Sequence, residues 1–90
     1  MNVHRTIFFS GRVQGVGFRF TALRLAGGFD VAGTVRNLPD GRVELIAEGE
    51  SGQIDQFVEA IRSHMGDRIR QVHSTESQAT GRYRSFDIAY

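Results

Sequence analysis

The chain contains no cysteine and no lysine, and it has a single proline among its 90 residues. Without cysteine there are no disulfides, no thiolate catalysis and no Cys-ligated zinc or iron–sulfur centre. Because all eleven basic residues are Arg, a Walker phosphate loop, a Schiff base and a PLP enzyme are excluded as well, since each needs a Lys. No apolar run approaches the roughly 20 residues of a membrane span. The stretch Met1–Phe9 is too short and too polar for a signal peptide. These absences lead us to expect a reducing, cytoplasmic setting with no membrane partner.

The length suits one domain spanning residues 1–90, since domains cluster at roughly 100–150 residues. A chain of this size buries only about 60–65% of the surface its unfolded form exposes, which leaves little room for large insertions. The formal charge is +1 and opposite signs are interspersed, so no broad face for nucleic acid is expected.

Residues Val3 to Ser10 alternate apolar and polar and predict a strand. The glycine-rich stretch Gly11-Arg-Val-Gln-Gly15-Val-Gly17 follows. From Phe18 the period becomes helical, with Phe18, Ala22, Leu25 and Ala26 on one face and Gly27-Gly28 as the stop. Val31 to Arg36 is a second strand, Asn37-Leu-Pro-Asp-Gly41 is turn chemistry, and Val43, Leu45 and Ala47 open a third strand. Gly49 to Gly52 reads as a loop. Ile54, Phe57, Val58, Ile61 and Met65 form an amphipathic helical stripe closed near Gly66. Ile69 to Ser74 is a fourth strand, and Phe86 to Tyr90 a short C-terminal one. The order β-α-β-β-α-β plus a tail strand is that of an α+β, ferredoxin-like sandwich with an antiparallel sheet and two helices on one face.

In that topology strands one and two end at the same edge of the sheet. With one strand between them, they stand about 10 Å apart. The glycine-rich loop and Asn37 therefore meet, although eighteen positions separate Arg19 from Asn37. Gly15-Val-Gly17-Phe18 leads straight into a helix start, where free amides and the helix dipole favour an anion. Arg19 in that first turn opposes the dipole unless an anion compensates it. A tight strand-to-helix turn with a solvated Arg fits the same spacing. Asn37 before Pro-Asp-Gly also reads as an ordinary turn residue. The dinucleotide fingerprint fails because Phe20 stands where a third glycine is required. His4, His64 and His73 lack metal-ligand spacing, and no metal or cofactor is expected.

The run Gly11-Arg-Val-Gln-Gly-Val-Gly-Phe-Arg19, followed by Gly33-Thr-Val-Arg-Asn37 and Asp40-Gly41-x-Val43-Glu44, closely resembles the acylphosphatase family. The resemblance extends through Gly49, the second helix and the ending Phe86-Asp-Ile-Ala-Tyr90. It implies a small, monomeric, cytoplasmic hydrolase that cleaves the carboxyl-phosphate anhydride of an acyl phosphate without a metal. It further implies that Gln14, Gly15, Val16, Gly17, Phe18 and Arg19 hold the phosphoryl group. Arg19 and Asn37 become the catalytic residues, with Asn37 positioning the attacking water. Inorganic phosphate is then both product and inhibitor. Acetyl phosphate, carbamoyl phosphate and 1,3-bisphosphoglycerate are all compatible substrates.

Two departures stand out: Gly66-Asp67 where relatives carry Gly-Pro, and Thr34 where an aromatic is frequent. Similar domains occur inside larger maturation proteins, and here the expectation is the free-standing enzyme. The competing readings are a non-catalytic phosphate- or effector-binding regulatory domain and an RNA-binding ferredoxin-like module. Either would have no use for an Asn aimed at water.

Overall fold

The alternation at Val3–Ser10 becomes strand β1 (Asn2–Gly11) in the computed structural model, which describes residues 1–90. Helix α1 (Phe18–Ala26), strands β2 (Val31–Asn37) and β3 (Val43–Glu50), helix α2 (Ser51–Met65) and strands β4 (Ile69–Gln78) and β5 (Phe86–Ile88) follow. A single 3₁₀ turn at Gly66–Arg68 separates α2 from β4. The sheet runs β4-β1-β3-β2-β5, so β3 lies between β1 and β2 as the topology required. All neighbours are antiparallel except β2 and β5, which run parallel and make the sheet mixed.

Register explains why one face is the core. Ile7 pairs with Leu45, Phe9 with Val43, and Val35 with Leu45. Because side chains alternate across a strand, this alignment stacks the apolar set on one side. Phe18, Ala22 and Ala26 of α1 and Ile54, Phe57, Ile61 and Met65 of α2 complete a single cluster with them. The Phe9 and Phe18 rings meet with centroids 4.9 Å apart, and Phe57 meets Phe86 edge-on at 5.2 Å. Such pairs contribute about 0.5–1.5 kcal/mol beyond area burial. The first pair roots the start of α1 directly on β1, beneath the glycine-rich loop.

Three boundaries differ from the sequence reading by more than one residue; the C-terminal strand, for one, ends at Ile88 and not at Tyr90. Gly49–Gly52 is not a loop. β3 continues to Glu50, since Asn2 and Val3 of β1 still pair with Glu50 and Gly49, and α2 begins at once with Ser51. β4 also runs four residues past Ser74, to Gln78, because β1 supplies pairing partners out to Val3.

β4 and β5 lie at opposite edges, so the connection between them must cross the sheet. It is fastened midway by Glu48 of β3. The Glu48 carboxylate accepts from the Thr80 amide (2.9 Å), the Thr80 hydroxyl (2.7 Å) and the Gly81 amide (3.0 Å). His4, its cross-strand partner, lies with Nδ1 2.6 Å away. Burial alone would raise the pKa of Glu48, which is 7% exposed, but hydrogen bonds from His4, Thr80 and Gly81 outweigh it and hold the carboxyl at about 2. No helix of the fold is long and apolar enough to cross a membrane.

Candidate active site

The Arg12 amide donates to the Arg68 carbonyl at 2.8 Å where β1 ends, and Val13 is fully buried just beyond it. The loop between Val13 and α1 is therefore held at its root. Gly15 (φ 74°) and Gly17 (φ 78°) both adopt left-handed backbone. A Cβ at either position would touch nothing within 4 Å. The demand for glycine is thus conformational rather than steric. Gly17 caps α1 without any side-chain hydrogen bond. The first helical bond runs from the Thr21 amide to the Gly17 carbonyl at 2.9 Å, so the amides of residues 15–20 donate to no backbone carbonyl. Free amides at a helix start, with the positive end of the dipole behind them, suit an anion.

Asn37 closes β2 on the facing side, and the turn after it is tightly braced. The Leu38 amide donates to the Arg42 carbonyl at 2.8 Å, and the Gly41 amide to the Leu38 carbonyl at 3.1 Å. Asp40 accepts from the Arg42 amide (3.1 Å) and from Arg42 Nε (2.8 Å). These bonds, backbone first and side chain second, hold the Asp40 carboxyl below its ordinary pKa. The turn role of Leu38–Arg42 is thus carried by backbone bonds and by Asp40, and it does not call on the Asn37 side chain.

Loop and turn enclose a cavity of about 180 Å³ lined by Val13, Gly15, Gly17, Phe18, Arg19, Phe20 and Asn37. Arg19 is its only charged member. Arg19 forms no ion pair, as is true of most arginines of this chain; Arg5, Arg36 and Arg42 are the exceptions. The Arg19 guanidinium carbon stands 5.3 Å from the centre of the Tyr90 ring. Asn37 Oδ1 is buried and has no hydrogen-bond partner. A buried orphan acceptor costs about 1–3 kcal/mol; a donor in the cavity, such as a water O–H, relieves that cost.

The fold thus brings Gly15, Gly17, Phe18, Arg19 and Asn37 to one cavity. Gln14 and Val16 do not line it. The Gln14 amide is committed to the opposing turn, donating from Nε2 to the Leu38 and Arg42 carbonyls. Val16 packs partly buried against the core cluster. Sequence reasoning missed Val13 and Phe20. Phe20 had a usable signal, an apolar residue out of phase with the buried stripe of α1. No three His, Asp or Glu side chains converge as a metal-ligating group. Two larger clefts along α2 and β4, of about 390 and 380 Å³, contain none of the candidate site residues Gln14–Arg19 and Asn37.

The chain is similar to known proteins over nearly all of its length. The profile of the acylphosphatase family matches residues 5–88. An acylphosphatase of Archaeoglobus fulgidus is 42% identical over 86 residues, covering 93% of this chain and 94% of the relative. One from Bacillus velezensis is 44% identical over 81 residues, covering 89% of this chain and 90% of the relative. The crystal structure of the Bacillus subtilis acylphosphatase superposes with a TM-score of 0.90 at 37% identity, over 98% of this chain and 99% of that one.

Proposed function

The chain belongs to the acylphosphatase family and hydrolyses acyl phosphates, and from that premise we propose how its residues divide the work. The free amides of the loop and the Arg19 fork hold the phosphoryl group. Asn37 Oδ1 accepts a hydrogen bond from a water and aims the water's lone pair at phosphorus. The observation that carries this reading is the single cavity in which an unpaired guanidinium, a row of free amides and an orphan buried acceptor converge.

The chemistry asks for little else. As water attacks, a new P–O bond forms and the P–O bond to the acyl oxygen breaks. The bonding electrons leave with the carboxylate. This leaving group is stable, so no general acid is needed. The proton of the attacking water passes to a phosphoryl oxygen, giving inorganic phosphate. Charge spread over the phosphoryl oxygens in the transition state is met by positioned donors. Arg matches two of those oxygens at once, which a Lys ammonium does not. A neutral Asn orients water without repelling the phosphate. No step requires a metal. A purely regulatory phosphate-binding domain is not favoured, because the relatives at about 40% identity are enzymes.

Finer parts of the reading are proposals of the same kind. Residues 1–90 act as one domain, as a monomer and in the cytoplasm, and inorganic phosphate inhibits by occupying the loop. The test is phosphate release from benzoyl phosphate in the presence of EDTA. The rate should be unaffected by the chelator, and phosphate should inhibit competitively. Activity that appears only when a divalent ion is added would contradict the reading.

A further inference from the structure

Four large apolar residues are exposed: Met1, Phe20, Leu23 and Tyr90. Phe20 and Tyr90 flank Arg19. Phe20 lines the cavity and is 66% exposed. Leu23 follows it at i+3, on the same outer face of α1, and is 38% exposed. Tyr90, 94% exposed, lies with its ring against the Arg19 guanidinium. Its place follows from the parallel register of β5: Val35 pairs with Ile88 and the Ala89 amide donates to the Val35 carbonyl, which carries the next residue, Tyr90, toward the end of β2 where Asn37 lies.

None of these rings serves the core. The buried face of α1 is Phe18, Thr21, Ala22 and Ala26, and Phe20 lies roughly 200° around the helix from Phe18. Size adds a second argument. A cavity of 180 Å³ is smaller than the about 300–1,000 Å³ typical of sites that enclose a whole organic ligand. A phosphoryl group and a water fill it, and the acyl group must extend past the rim. The rim on the α1 side is the Phe20 ring, and no second cation lines the cavity to attract an acyl group bearing its own anion.

We propose that Phe20 is the acyl-binding residue of this enzyme, giving it a preference for acyl phosphates with an aromatic or extended alkyl acyl group over small or anionic ones. The proposal rests on the placement of the phosphoryl group at Arg19. Phe20 is a specificity determinant and takes no part in bond making. Its contact with the acyl group is the same before and at the transition state, so it acts on KM.

The test compares kcat/KM for benzoyl phosphate and acetyl phosphate in the wild type, Phe20→Ala and Phe20→Tyr, with phosphate inhibition measured alongside. Truncation should lower the benzoyl-to-acetyl ratio by about tenfold, through KM for benzoyl phosphate. The phosphate inhibition constant should hold, because inorganic phosphate carries no acyl group. Phe20→Tyr keeps the ring and should keep the ratio. An unchanged ratio in Phe20→Ala, or equal losses on both substrates, overturns the proposal. Failure of the underlying reading looks different: Arg19→Gln would then keep full turnover and full phosphate inhibition, which moves the phosphoryl group, and with it the acyl group, away from this rim.

Discussion

The Gln14 side chain ties the glycine-rich loop to the turn that follows Asn37, donating from Nε2 to the Leu38 carbonyl at 2.8 Å and to the Arg42 carbonyl at 2.9 Å. Loop and Asn37 arrive from different strands, separated by β3 in the sheet. This brace sets the distance between the two halves of the site. Gln14→Ala should cost only about 1 kcal/mol of stability, since the bonds are solvent-exposed. Its effect on kcat should be larger than that figure suggests, about tenfold, because small misplacements of reacting groups are costly. Thermal melting and kcat on one preparation check this. A normal kcat would show that the loop holds its geometry unaided.

Arg19 is expected to be indispensable and replaceable by nothing else. Arg19→Lys and Arg19→Gln should lower turnover by at least ~10²–10³-fold, the usual loss when one charge-stabilising donor is removed. Both should also weaken phosphate inhibition. Stability should hold or rise slightly, because no acidic residue in the first turn of α1 partners the cation and its removal relieves the helix dipole. Loss of folding without a selective loss of turnover would favour a structural role.

Glu48 carries a pH-dependent share of stability. Its carboxyl sits at about 2 in the fold against an ordinary value of 4.5. The folded state therefore favours the charged form. The stabilisation is present in full above pH 4.5 and is lost as pH falls through 2. A difference of this size corresponds to ~3 kcal/mol. Glu48→Gln should lower Tm at pH 7 by roughly 10–20 °C. It should also flatten the wild-type loss of stability between pH 4.5 and 2. Equal destabilisation by the substitution at pH 7 and pH 2 would place the acid sensitivity elsewhere. His4, whose ring also lies 6.2 Å from that of Tyr83, is the titratable group facing this carboxylate.

Legibility in the sequence followed the range of the interactions involved. Gly15, Gly17 and Arg19 were readable because left-handed glycines and a change of period at Phe18 are local signals. Asn37 became readable as a partner only through the topology, which a regular βαββαβ pattern dictates. Residues 75–78 of β4 were missed because they are polar, exposed edge residues whose strand conformation comes from pairing with β1. Glu48 gave no signal at all. Its partners His4, Thr80 and Gly81 lie 44, 32 and 33 positions away, and an alternating Glu on a strand ordinarily faces water. Phe20 stands out of phase with the stripe of Phe18, Ala22 and Ala26, which marks its ring as exposed, but periodicity alone does not say that the ring borders the loop.

Asn37→Ala separates the holding of phosphate from the aiming of water. Its side chain presents a buried acceptor without a partner, while the neighbouring turn is held by other bonds. The measurement is kcat together with the inhibition constant of inorganic phosphate, on folded protein quantified by its melting transition. kcat should fall by at least ~10²-fold, with phosphate inhibition within about threefold of wild type. Normal turnover per folded molecule would contradict this separation of roles, as would a loss of phosphate affinity in step with kcat.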